Sequence, residues 1–102
     1  MNLRDLLHNI DDYADHLVIY ASPKPRWSAA SPVRVTAEPA DGSLPRDAVG
    51  FTYLMEVVRA KRVLTVWRHC RAGAVPTGDD MCEAVVYFAR HDAHLPAFEA
   101  AV

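Results

Sequence analysis

The 102-residue chain has little of what catalytic sites and exported scaffolds are built from. Two cysteines, Cys70 and Cys82, are too few for the disulfide framework that staples small exported domains, so the expectation is reduced thiols in a cytoplasmic, bacterial setting. The four glycines form neither GxGxxG nor a Walker loop, and no serine sits in Gly-x-Ser-x-Gly, so phosphate cradling and elbow-type hydrolysis have no support. No apolar run reaches membrane-spanning length. The first residues, with Arg4, Asp5, Asp11 and Asp12, are amphipathic rather than secretory, so no membrane contact is expected. Lysine is scarce: Lys24 and Lys61 stand beside nine arginines, which favours planar bidentate contacts over diffuse solvation. The formal net charge of −2 argues against a protein that grips nucleic acid over its whole surface.

What is present suffices for one packed core. With 51% hydrophobic residues, the chain reads as one domain over residues 1–102, with the loop 22–32 and the tail 93–102 peripheral. Leu3, Leu6, Leu7 and Ile10 recur at helical spacing behind Asn2, a good N-cap, and predict a first helix. "HLVIYA" at 16–21 and "VRVTA" at 33–37 read as strands paired antiparallel. The proline-rich loop between them carries Trp27, which is expected to fold back onto the core. "EPADGSLPRDAVG" at 38–50 is turn-rich. "FTYLMEVV" at 51–58 alternates and predicts a third strand, with an earlier-starting helix as its rival.

From Arg59 to Arg71 the period becomes helical. Ala60, Val63, Leu64, Val66, Trp67 and Cys70 share an inner arc, and Gly73 stands ready to end the helix. A last helix follows from Gly78 to His91, capped by Thr77 with Asp80 three residues on. Met81, Val85 and Phe88 face inward, flanked by Cys82, Ala84, Val86 and Ala89. Leu95 and Phe98 are expected to pin the tail, with Pro96 barring continuation of the helix. The fold class is therefore α+β: a small, mainly antiparallel three-stranded sheet with three helices, in the order α-β-β-β-α-α.

His69, Cys70, Cys82, His91 and His94 together supply enough nitrogen and sulfur for a tetrahedral zinc, but the spacing opposes it. Cys82 and His91 lie nine positions apart on one helix, on opposite sides of its axis, and His69 and Cys70 are about 100° apart. Both cysteines are expected as small core hydrophobes and His91 as a helix end. The acidic run with Asp11, Asp12 and Asp15 lacks the order of a calcium loop. No catalytic residue, metal or cofactor is assigned.

Charge layout is the least neutral feature. Residues 59–71 hold five Arg and Lys and no acid, whereas residues 1–16 hold four Asp against one Arg. Lys61, Arg62, Arg68 and His69 fall together on the outer side of a basic amphipathic helix, a solvated face or a recognition surface.

The pieces "LRDLLHNI", "YLMEV", "VLTVW" and "EAVVYFARHDAHLP" resemble a small uncharacterised bacterial family. That resemblance implies no activity, only partner binding of the kind seen in immunity proteins that neutralise toxins. The function expected is thus a non-enzymatic interaction module. Its basic helix face, and more weakly Trp27, would meet an acidic protein; the alternative is a nucleic-acid-associated regulator using residues 59–71. The open edges of a three-stranded sheet also offer a route to a homo-oligomer.

Overall fold

A computed structural model describes residues 1–96, and Phe98, expected to pin the tail, lies outside them. The order is α1 (Leu3–His8), a 3-10 turn (Ile10–Asp12), β1 (Val18–Ala21), β2 (Val33–Thr36), a second 3-10 turn (Arg46–Ala48), β3 (Thr52–Glu56), α2 (Val57–His69) and α3 (Gly78–His91). The expected α-β-β-β-α-α order is present. All pairing is antiparallel, with β1 in the middle of the sheet β2-β1-β3.

One apolar cluster ties the helices to one face of the sheet. Leu3, Leu6 and Leu7 from α1 meet Ile19 and Ala21 from β1, Val63 and Leu64 from α2, and Met81 and Val85 from α3. Trp27 packs against this cluster, as its apolar area requires. The other face is smaller. Val18 and Tyr20 lie under Ala48 and Phe51, because the 38–51 segment folds across them.

The strand 51–58 proves shorter than its alternation suggests. Met55 stands opposite Ile19 and Tyr53 opposite Tyr20, leaving Leu54 as an extra residue in a bulge. The bulge lets Leu54 and Met55, adjacent in sequence, both enter the main core, while Tyr53 turns to the other face and meets Tyr20 edge to face at 6.1 Å. Burial, then the negative charge of nearby Glu38, holds the Tyr20 hydroxyl above its ordinary pKa.

Val57 and Val58 belong to the helix, not the strand. Their β-branched side chains favour a sheet, but the backbone has a better offer. Val57 N–H donates to the Leu17 carbonyl at 2.8 Å and Val58 N–H to that of Asp15 at 3.3 Å. These acceptors satisfy first-turn donors that a helix leaves open, at an end where Glu56 supplies no side-chain cap.

Loop 22–32 is bonded more closely than a peripheral segment. Leu3 N–H donates to Ser31 O and Arg4 N–H to Ala29 O, so the loop closes the N-terminus of α1 alongside the Asn2 side chain, which accepts from Asp5 N–H. At α3 the capping box forms as spelled by the sequence. Thr77 Oγ1 accepts from Asp80 N–H at 3.1 Å, and the Asp80 carboxylate accepts from Thr77 N–H at 2.9 Å. Replacing Thr77 with Ala opens both ends of that exchange and should lower unfolding stability by about 1 kcal/mol in urea denaturation, without changing the fold.

Candidate partner-binding surface

α2 buries Val57, Ala60, Val63 and Leu64 and turns Val58, Arg62, Thr65 and Arg68 to solvent, the row that its 3.6-residue period dictates. The four basic-face residues then part company. Lys61 is three-quarters buried: its ammonium donates to the Asp15 carboxylate at 2.7 Å and to the Tyr13 carbonyl at 2.9 Å. It fastens the turn before β1 onto α2 and is occupied there. Arg62, Arg68 and His69 are exposed and make no side-chain hydrogen bond or ion pair among the described residues.

Two separate hollows divide the arginines. Arg62 lines one of about 230 Å³ with Arg59, Val58, Val63, Phe88 and His94. Arg68 lines another of about 170 Å³, with His8 and Asp11 among its other walls. The helix dipole accounts for Arg68 and His69, which stand in the last turn, where positive charge is favoured. It does not account for Arg59. That guanidinium sits in the first turn, where the helix end is itself positive, and lies over the Phe88 ring at 5.6 Å.

Trp27 walls two grooves. One, of about 280 Å³, runs past Ala29, Cys82 and Tyr87. The other, of about 490 Å³, runs between β3 and the C-terminal half of α3, past Tyr53, Met55, Glu56, Arg59 and Phe88. The Trp27 indole nitrogen is buried without a hydrogen-bond partner among the described residues, an arrangement that ordinarily costs about 1–3 kcal/mol. The groove beside β3 was not legible in the sequence. Its one linear signal is Arg59, a cation placed where a helix start disfavours it.

The histidines near the end of α3 stack on aromatic rings. His91 lies 4.3 Å from the Tyr87 centroid, with Asp92 closing the helix in the left-handed conformation, and His94 lies 5.0 Å from Phe88. Among the described residues no three His, Cys, Asp or Glu side chains gather as metal ligands would. The cysteines do not behave alike. Cys82 is buried in the core as expected, but Cys70 is exposed, because α2 ends at His69 and Cys70 is its cap rather than part of the inner arc. Trp67 remains half-buried, with the Arg71 guanidinium over its ring at 4.4 Å.

No known family, curated protein or solved structure matches the chain. What the surface does is therefore argued from its own chemistry. No helix among the described residues is long and apolar enough to cross a membrane.

Two measurements check these assignments. Lys61→Gln should lower stability by on the order of 1 kcal/mol, because it strips a partly buried carbonyl and a carboxylate of their donor, while Arg62→Gln should stay within about 0.5 kcal/mol of wild type in the same denaturant titration. Burial pushes the Cys82 thiol from its ordinary 9.0 up to about 11. A thiol reagent at pH 8 should therefore label Cys70 in the native protein and reach Cys82 only on unfolding. The same raised pKa means that the unfolded thiol ionises first: Cys82 leaves stability unchanged below about pH 9 and lowers it as pH climbs from 9 towards 11.

Proposed function

We propose that the chain is a small protein-interaction module without chemistry of its own, binding an acidic partner protein through the outer row of α2. A role of the immunity or regulatory kind suits such a module. The observation that carries this reading is the set of exposed cations, Arg62, Arg68 and His69, that no acid neutralises by an ion pair among the described residues. Exposed arginines with free planar donors are suited to carboxylates on another surface.

The nucleic-acid reading has less behind it. Base recognition on single strands wants aromatic faces next to the cations, but Phe88 and Trp67 already carry Arg59 and Arg71. Acids are also interleaved with the basic row: Asp15 holds Lys61 and Asp11 shares a hollow with Arg68, where a phosphate backbone would be repelled.

The test uses the wild-type chain and an Arg62→Gln/Arg68→Gln variant as paired baits in extract of the native host, with and without nuclease. A protein retained by wild type at low salt, released as salt screens the contact, and lost from the variant despite an unchanged melting temperature is the expected result. Nuclease-sensitive retention with a steep salt slope, of about −0.9 per neutralised phosphate on duplex DNA, would favour the nucleic-acid reading instead.

A further inference from the structure

The groove beside β3 has the parts of a strand-docking site. β3 is an outer strand, paired with β1 alone, and four consecutive residues from Tyr53 to Glu56 line the groove. Phe88 and Ala89 of α3 face them, and Trp27 adds a further wall. Among the described residues no backbone hydrogen bond joins the outer edge of β3 to another segment. An open edge beside a helix-walled apolar trough suits an extended chain, which bonds to the edge through its backbone and drops alternate side chains into the trough.

Charge selects the occupant. The groove continues into the Arg62 hollow, with which it shares Glu56, Arg59 and Phe88. Arg59, Arg62 and His94 there stand against Glu56 as the one acid. Arg59, disfavoured by its own helix end, gains most from a carboxylate brought from outside. We propose that β3 accepts an extended acidic segment of a partner protein as a fourth strand, with aliphatic side chains against Phe88 and Trp27 and carboxylates on Arg59 and Arg62. The buried indole nitrogen of Trp27, without an acceptor in the chain itself, suits a carbonyl of the incoming strand. This inference rests on the reading of the chain as a module for acidic proteins, and it names the mode of binding.

The probes are two capped, fluorescein-labelled peptides, Glu-Glu-Val-Thr-Val-Thr and its reverse, followed by fluorescence anisotropy and by amide shifts in NMR spectra of the full chain. At least one should bind more tightly than about 1 mM and shift the amides of residues 53–56. Methylating alternate peptide nitrogens, exchanging Glu for Lys, or using an Arg59→Gln/Arg62→Gln variant that melts as wild type should each weaken binding by about tenfold or more. Equal binding by the methylated peptide overturns strand addition, and equal binding by the Lys peptide overturns the acidic partner. Sedimentation as a dimer whose β3 amides are protected overturns it in favour of a second copy of the chain.

The two readings fail separately. If the bait retains a protein through Arg62 and Arg68 but neither peptide binds, only the strand mode is overturned. If the peptides bind as described but the bait retains nucleic acid alone, the strand site stands and the acidic-protein reading of the outer row falls.

Discussion

The rest of the architecture depends on how residues 13–17 hold the start of α2. The Leu17 and Asp15 carbonyls accept from the first helical N–H groups, and the Tyr13 carbonyl and Asp15 carboxylate receive the Lys61 ammonium one turn further on. Two separate problems are met by one segment. The helix begins with no acid in its first turn and no side-chain cap, and the turn supplies both acceptors and a negative charge. Because the same segment leads directly into β1, the central strand, the clasp fixes where α2 lies relative to the sheet. α3 then packs against α2 and α1 to close the core.

That fixed position decides which side chains are free for a partner. Lys61 is consumed by the clasp and Arg71 by Trp67, while Arg4 pairs with Asp79 at the start of α3. Arg59, Arg62, Arg68 and His69 carry no ion pair among the described residues, and they follow one long side of α2 from the β3 groove to the helix end. The bulge in β3 contributes independently. By sending both Leu54 and Met55 inward it anchors an outer strand firmly in the core, so the edge next to the groove is held rigid although nothing pairs with it among the described residues. A preformed edge is what an incoming strand needs if ordering the site is not to oppose binding.

Much of this was legible one residue at a time. Leu3, Leu6, Leu7 and Ile10 announce the first helix by spacing alone, and Thr77 with Asp80 spells the cap of the last, because both signals are local and each side chain acts within a single turn. The fold class and element order follow from such signals. The basic row of α2 was also readable, since helical periodicity places Arg62 and Arg68 on one side whatever the helix packs against.

What only the tertiary structure decided is where distant segments compete for the same groups. The end of β3 is the clearest case: the valines of "EVV" favour a strand, yet carbonyls some forty residues earlier draw their N–H groups into a helix. Cys70 looked like a core position until the helix stopped one residue before it, and Lys61 looked like its exposed neighbours until Asp15 reached it. The β3 groove belongs to the same class, since Trp27, Tyr53 and Phe88 come from a loop, a strand and a helix with no common periodicity. A linear pattern records which way a side chain points from its own backbone. It does not record which backbone arrives to meet it, and that meeting sets the charge, burial and openness on which binding depends.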